Sequence, residues 1–245
     1  MILIFQGQPN LLEQLLSIFG YWDLFLSGLI MTLWLYLWAL LIGFFLGLIF
    51  AILRQYGGII LSRIATGYIE IIRGTPLLAQ LLLIYYLPNR LVFPWNLSID
   101  ITTRASVSLL SDRTIIAIIA LGLNSSAYQA EYLRGAIMSV GKEQLIAAQS
   151  LGMSRFSGIR RVILPQALRR AIPAWSNEAV YLPKYTVVVY FIAVLDVFAQ
   201  AYIISFATFA VILTYVIVAI IFLIMITFIS KGLDVLHKRT SIPGV

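Results

Sequence analysis

Long runs of apolar residues alternate with short polar segments and predict five membrane-crossing helices. A helix needs ~20 mainly apolar residues to cross ~30 Å of hydrocarbon. The runs of about this length are residues 24–53, 66–87, 115–132, 185–206 and 209–229. We therefore predict an all-α, polytopic membrane protein in which residues 1–245 form a single transmembrane domain.

Two shorter patterns refine this prediction. Before the first run, apolar residues recur at helical spacing beside Glu13 and Gln14, which predicts a short amphipathic helix at the membrane interface: they are Leu11, Leu12, Leu15, Leu16 and Phe19. Within the first run, small residues recur every fourth position and predict a ridge where another helix packs closely: Ala39, Gly43, Gly47 and Ala51.

The polar segments between the runs are predicted to be connections. Residues 54–63, with Gly57 and Gly58, are predicted to be a short polar turn. Residues 88–114 are predicted to be a loop, and residues 133–183 are the one long polar stretch. Gly74, Thr75 and Pro76 are expected to kink the second span, because proline removes a helix hydrogen bond.

The distribution of positive charge predicts the orientation in the membrane. Fourteen of the 17 Lys and Arg residues lie around the first turn, within 133–184 or in the tail, and three lie in 88–114. Positive residues remain on the cytoplasmic side. This places the N-terminus outside and both the segment 133–183 and the C-terminus inside, and it accounts for the net charge of +7 without nucleic acid.

The residue inventory argues against several kinds of chemistry. The chain has no cysteine, and its single histidine, His237, lies in the basic tail. It contains no G-x-x-x-x-G-K-[ST] phosphate loop. We therefore expect no enzyme activity, no metal site and no cofactor in this chain, so that ATP and Mg would bind a partner if transport is ATP-driven.

The long polar stretch has the pattern of a helical hairpin. Residues 143–151 favour a helix that Gly152 would end, since glycine is common just past a helix C-terminus. Ser154 can cap a second helix over 155–164, and Pro165 would bend or restart the chain. The hairpin either docks a separate ATPase or only connects two spans.

A resemblance favours docking. The segment "QLIAAQSLGMSRFSGIRRVILPQALRRAIP" resembles the conserved cytoplasmic loop of binding-protein-dependent ATP-binding-cassette (ABC) permeases, and "RGTPLLAQ" and "AYQAEYLRGAI" resemble blocks of the polar amino-acid subfamily. The residues that carry the loop motif are Gln144, Ala147, Ala148, Leu151, Gly152, Leu164 and Pro165. Two residues depart from the family pattern, Ile146 in place of a usual Glu and Tyr185 in place of a usual Asp.

The resemblance implies a complete transport machine. Two permeases, identical or a close pair, would line the pathway in the cytoplasmic membrane, and the loop would sit in a groove of an ATPase dimer. An external solute-binding protein would deliver an amino acid, and rigid-body rocking would expose the pathway to each side in turn.

Polar residues inside the predicted spans are the candidates for the pathway. Asp196 is expected near the bilayer midplane, where an acid costs several kcal/mol unless it is paired or hydrated. It either contacts the ammonium group of a solute or hydrogen-bonds another helix. A third alternative for Asp196 is that it faces a water-filled vestibule. Asn124, Ser125 and Tyr128 either face the pathway or bond a partner helix. Thr75 lies at the expected kink, which either acts as a hinge or exposes a carbonyl group to solute.

Two acid–base pairs at three-residue spacing are predicted near the cytoplasmic ends of the spans. They are Glu70 with Arg73, and Glu131 with Arg134. Each pair is interpreted as a structural ion pair, with an inner gate as the alternative. For the whole chain, the alternatives are the same machine with another polar metabolite such as an opine, an intramembrane enzyme, and a membrane anchor or assembly protein.

Overall fold

The computed structural model describes residues 10–87 and 109–240, and this part of the chain is all-α. A π-helical turn, Ile159–Ile163, precedes the helix that begins at Leu164, and a 3₁₀ segment, Thr186–Ile192, follows that helix. The α-helices are α1 Leu11–Phe19, α2 Trp22–Tyr56, α3 Gly58–Gly74, α4 Leu77–Tyr86, α5 Asp112–Ser139, α6 Lys142–Ser150, α7 Arg155–Gly158, α8 Leu164–Tyr185, α9 Val197–Thr208 and α10 Val211–Thr240.

Among the described residues, two helices are by themselves long and apolar enough to cross a membrane, α2 and α10. Two further candidates are bent pairs, α3 with α4 at 105°, and the continuous helix Arg155–Ile192 with α9 at 57°. The described residues therefore contain two candidate spans, or up to four if each bent pair is one span, and the count of five stays a prediction. Helix α5, the predicted third span, is not among these candidates, and it contains several polar residues, Asn124, Ser125, Ser126 and Gln129 among them.

Helix α5 lies at the centre of the bundle. It packs along α2 on one side and α8 on another, with α3 and α4 also against it, while α10 contacts α8 and α9. Most of its length is buried, including Leu121, Ala127 and Leu133. A helix enclosed by other helices needs little apolar surface of its own, which explains how its polar residues are accommodated.

The predicted small-residue ridge on α2 is confirmed. Ala39, Gly43, Gly47 and Ala51 are all buried. A Cβ atom at Gly47 would lie 2.9 Å from the Ser126 carbonyl oxygen, and one at Gly43 would lie 2.4 Å from the Gln129 side chain. The backbones of α2 and α5 can approach this closely only because these positions carry no side chain.

The polar turn predicted over residues 54–63 is wrong. Helix α2 continues to Tyr56 and α3 begins at Gly58, so the connection is a single residue. Gly58 has φ +71°, a left-handed conformation that glycine adopts without strain, and this reverses the chain at once. The polar residues of this region lie on helix ends rather than in a loop.

The prediction that residues 133–183 form one cytoplasmic loop is wrong at both ends, and residues 133–139 still belong to α5. The helix expected to stop near Leu164 continues as α8 to Tyr185 and packs against α5. Glu178 of α8 is buried beside Ser125, and Ser125 lies in the middle of the predicted third span. The hairpin is therefore limited to α6 and α7, and α8 belongs to the bundle.

The last two predicted spans differ in detail. Residues 185–206 are not one helix, because the 3₁₀ segment ends at Ala193, which has φ +57°, and α9 starts only at Val197. Helix α10 extends the fifth run to Thr240, so most of the basic tail is helical. Much of the predicted loop 88–114 lies outside the described residues, although α5 already begins at Asp112. The amphipathic helix near the N-terminus is confirmed as α1.

Candidate functional site

A sharp break separates α3 from α4 at Thr75 and Pro76, where the predicted second span was expected to kink. Thr75 and Pro76 have extended backbone, and both are exposed. The break leaves carbonyl groups at the end of α3 without helical partners. The Thr75 hydroxyl donates to the Ile71 carbonyl (2.8 Å), and the Gln80 side-chain amide donates to the Ile72 carbonyl (2.7 Å).

Gln80 also connects the break to the central helix. Its carbonyl oxygen accepts a hydrogen bond from the Asn124 side chain at 3.0 Å. Nearby, the Tyr68 hydroxyl lies 2.9 Å from the Leu123 carbonyl and 2.7 Å from the Ser126 hydroxyl. The polar residues of α5 here bond neighbouring helices, which is one of the two alternatives left open by the sequence.

A second polar network is largely buried between α2, α5 and α8. The Ser125 hydroxyl donates to the Glu178 carboxylate at 2.6 Å and accepts from the Gln129 side-chain amide at 3.0 Å. Gln129 also accepts from the Trp175 indole N–H at 2.6 Å. Each buried group therefore has a partner, as burial away from water requires.

An arginine cluster surrounds Glu131 at the end of α5. Arg134 pairs with Glu131 at 3.0 Å, which confirms this predicted pair. Arg54 of α2 also pairs with the same carboxylate, and Arg73 of α3 lies 3.6 Å from it. One acid therefore joins three helices.

The predicted Glu70–Arg73 pair is wrong. Arg73 faces Glu131 and lies over the Tyr128 ring, with 5.3 Å from its guanidinium carbon to the ring centroid. Glu70 is exposed and has no ion pair among the described residues. Three-residue spacing on one helix therefore does not decide the partner of Arg73, which is an acid on another helix.

Asp196 caps α9 instead of lying within a continuous span. Its carboxylate accepts from the Ala199 backbone N–H at 2.9 Å, and the Thr186 hydroxyl lies 3.5 Å away. The residue has no exposed surface in the single chain. Gly28 of α2 allows this close packing, since a Cβ there would lie 2.8 Å from the Val197 Cα.

The hairpin turn follows the predicted pattern. Helix α6 ends before Gly152, which has φ +84°, and the Met153 N–H bonds back to the Ala148 carbonyl at 3.1 Å. Ser154 caps the next helix by accepting from the Ser157 N–H at 3.2 Å. The π turn then precedes Pro165, where a wider turn relieves the clash of the proline ring with the preceding turn.

The hairpin presents an apolar tip. Ala148 is buried, and a Cβ at Gly158 would lie 2.8 Å from Leu145, so α6 and α7 pack tightly against each other. Three large apolar side chains remain exposed in the single chain: Ile146 at 61%, Leu151 at 85% and Phe156 at 73%. We call these three residues the hairpin tip. Of the other motif residues, Gln144, Ala147 and Pro165 are exposed and Leu164 is partly buried.

Sequence reasoning missed several of these polar groups. Glu178, Gln129 and Trp175 form the enclosed network, yet none was a candidate. A signal for α8 was present, because Ala167, Ala171, Leu182 and their neighbours recur at helical spacing and are buried. Gln80 lies at the end of the quoted block "RGTPLLAQ", in which Thr75 is the predicted pathway candidate.

The helical bundle, apolar outside and polar at enclosed positions, has the build of a membrane transport subunit. Comparisons with known proteins give the family. The model of the family described as the inner membrane component of binding-protein-dependent transport systems matches residues 43–242. The chain therefore belongs to this family, and it is a membrane-embedded transport subunit rather than an enzyme.

Individual relatives agree with this. The nopaline transport system permease protein NocM of Agrobacterium fabrum is 37% identical, over 87% of this chain and 88% of NocM. The glutamine transport system permease protein GlnP of Escherichia coli K12 is 35% identical, over 89% of this chain and 94% of GlnP. The crystal structure of an amino acid ABC transporter with histidines aligns with TM-score 0.77 and 37% identity, covering 91% of this chain and 97% of that one.

Proposed function

We propose that the chain is the permease subunit of an ABC importer that carries an amino acid or an amino-acid-derived solute such as an opine across the cytoplasmic membrane. The named cargoes of two relatives, nopaline and glutamine, share an amino-acid head group. In this proposal the chain has five spans, its N-terminus is outside, and its C-terminus and hairpin are inside.

The hairpin tip is the observation that carries this proposal. Ile146, Leu151 and Phe156 are large, apolar and exposed on a segment that the charge distribution predicts to be cytoplasmic. An ATPase dimer that accepts the tip in an apolar groove would bury it. The usual family acid before the Ala pair is replaced by Ile146, so docking here relies on apolar contact at that position.

The break between α3 and α4 is the proposed place of solute contact. Thr75 is exposed there, and Tyr128 is partly exposed close to Arg73. The first amide groups of α4 lack helical partners and attract anions, so they suit a solute carboxylate. Asn124, Ser125 and Asp196 are enclosed in the single chain and would reach solute only if helices move.

A second permease copy, or a close paralogue, would complete the pathway. Large apolar side chains remain exposed along α2, α9 and α10, among them Phe45, Phe206 and Phe228. Lipid covers part of this surface, and the second permease covers the rest. The external solute-binding protein would dock on the opposite face from the hairpin.

The first test is recovery of the complex. The tagged chain is extracted from its native membrane in mild detergent, and the proteins that accompany it are identified. We expect an ATPase with a phosphate loop and an exported solute-binding protein, whose ligand can then be found by screening. Recovery of a folded chain without an ATPase, across several detergents, would contradict the proposal.

A matched pair of variants tests the hairpin tip. Leu151→Ser removes an 85% exposed apolar side chain and should leave the fold intact while reducing ATPase recovery and ATP-dependent uptake. Gln149→Ser changes a neighbouring exposed polar residue and should have little effect. Equal recovery of the ATPase with both variants would refute docking through the tip.

A further inference from the structure

A basic cavity lies where α2 meets α3, beside the start of α7. Its volume is about 490 Å³, which is within the usual range for small-molecule sites. It is lined by Arg54, Gln55, Tyr56, Gly58, Ile59, Ser62, Arg63 and Arg155. Arg155 lies within the quoted loop segment, but none of these residues is among the named motif residues or the pathway candidates.

Two of the three arginines in this cavity keep their charge uncompensated. Arg54 pairs with Glu131, and no acid lines the cavity itself. Arg155 donates to the Tyr56 carbonyl at 3.3 Å and lies over the Tyr56 ring, contacts that hold it in place without neutralising it. Arg63 is exposed and has no ion pair or hydrogen-bonded side-chain partner among the described residues. The cavity therefore carries about two net positive charges.

An apolar surface continues from this cavity along α3. Ile60, Ile64 and Ile71 recur at helical spacing on that helix and are all exposed in the single chain. Ile59 lies at the edge of the cavity itself and is 75% exposed. A ligand that fills both parts must have an anionic group at one end and a long apolar part at the other.

We propose that this cavity binds the phosphate headgroup of an anionic phospholipid, with the acyl chains along the isoleucine stripe of α3. The proposal uses the topology given above, in which the α2–α3 junction faces the cytoplasm. That leaflet surface is negative, and basic pockets between helices at its level suit anionic headgroups. The bound lipid bridges Arg63 of α3 and Arg155 of the hairpin, so it connects the bilayer to the ATPase-docking segment.

Lipid binding to the purified full-length chain tests this directly. The thermal unfolding midpoint in dodecylmaltoside is measured with increasing phosphatidylglycerol, with phosphatidylcholine, and with inorganic phosphate. We expect phosphatidylglycerol to raise the midpoint and the other two to have little effect. Stabilisation by inorganic phosphate as large as that by phosphatidylglycerol would overturn the lipid assignment, because an anion alone would then account for it.

Paired double variants locate the site. Arg63→Gln with Arg155→Gln should weaken phosphatidylglycerol binding about 30-fold. Each arginine near the membrane surface contributes ~1 kcal/mol, so the pair contributes about 2 kcal/mol, and a tenfold change in affinity corresponds to ~1.4 kcal/mol. Arg160→Gln with Arg169→Gln removes the same charge from exposed residues outside the cavity and should retain binding. Equal weakening in both double variants would show non-specific attraction and overturn the site.

A conservative variant separates charge from folding. Arg63→Lys with Arg155→Lys keeps both positive charges and should retain most of the phosphatidylglycerol effect. Loss of the effect in this variant, with a normal unfolding midpoint in detergent alone, would contradict a headgroup held mainly by charge. These measurements need no ATPase, so they are independent of the proposed importer. Lipid binding without ATP-driven uptake would overturn the importer and leave the lipid site supported. ATP-driven uptake without lipid binding would overturn the lipid site and leave the importer supported.

Discussion

Replacing Gly47 by alanine tests how closely the two central helices are packed. The added Cβ would lie 2.9 Å from the Ser126 carbonyl oxygen, 3.0 Å from the Ala130 backbone nitrogen and 3.0 Å from the Gln129 Cβ. Two of these neighbours are backbone atoms of α5, which cannot rotate away. The variant must therefore separate α2 from α5 along their shared length.

The expected cost follows from this geometry. Extra atoms in a well-packed interior typically cost about 1–3 kcal/mol. At about 2–4 °C of unfolding midpoint per kcal/mol for a chain of this size, the midpoint should fall by about 2–12 °C. Gly135→Ala is the matched control on α5, because nothing lies within 4 Å of its Cβ position. Alanine in an exposed helical position should be neutral or should stabilise by up to about 1 kcal/mol.

The assay is thermal unfolding of the two purified variants and the unchanged chain in the same detergent, followed by loss of the monodisperse peak on size exclusion. We expect the midpoints to rank Gly135→Ala at or above the unchanged chain, and Gly47→Ala below it. If Gly47→Ala unfolds at the same temperature as the control, the close approach of α2 and α5 is not what holds the bundle together.

Three further pairs of variants test the charged and turn positions. Glu131→Gln leaves three arginines facing one another and should lower both the unfolding midpoint and uptake, whereas Glu70→Gln should change neither, and the same two assays decide. Gly152→Val places a branched residue at φ +84° and should abolish ATP-dependent uptake while membrane insertion stays normal. Gly152→Asn should retain part of the uptake, since asparagine tolerates that conformation. Asp196→Ala removes the cap of α9 and should cost about 1 kcal/mol, seen as a lower midpoint, whereas Asp196→Asn keeps an acceptor and should unfold normally. Loss of uptake in Asp196→Asn, at a normal unfolding midpoint, would instead show that the charge contacts the solute.

Patterns that depend on neighbouring residues were predicted well from the sequence. The ridge of Gly43 and Gly47 and the end of α6 at Gly152 follow from what a missing side chain permits at a single position. The break at Thr75–Pro76 follows from the missing N–H of proline. Each of these features is determined by local chemistry, so knowledge of the partner helix is not needed.

Features that depend on distant partners were missed. Glu178 lies within residues 133–183, which were predicted to form a cytoplasmic loop, yet Ser125 of another helix donates a hydrogen bond to it inside the bundle. Arg73 was given the nearby Glu70 as a partner, and the structure gives it Glu131, far along the chain. Asp196 was placed at a calculated depth in a straight helix, and the left-handed residue Ala193 breaks that helix first.

The uninterrupted helical rod from Arg155 to Ile192 has a mechanical consequence. At about 1.5 Å per residue it is roughly 55 Å long, with the hairpin at one end and the Asp196 bend at the other. Such a rod acts as a lever: a tilt of about 10° at the hairpin end moves the far end by on the order of 10 Å. Under the proposed topology, a small tilt at the cytoplasmic end of the rod would therefore move its far end much further.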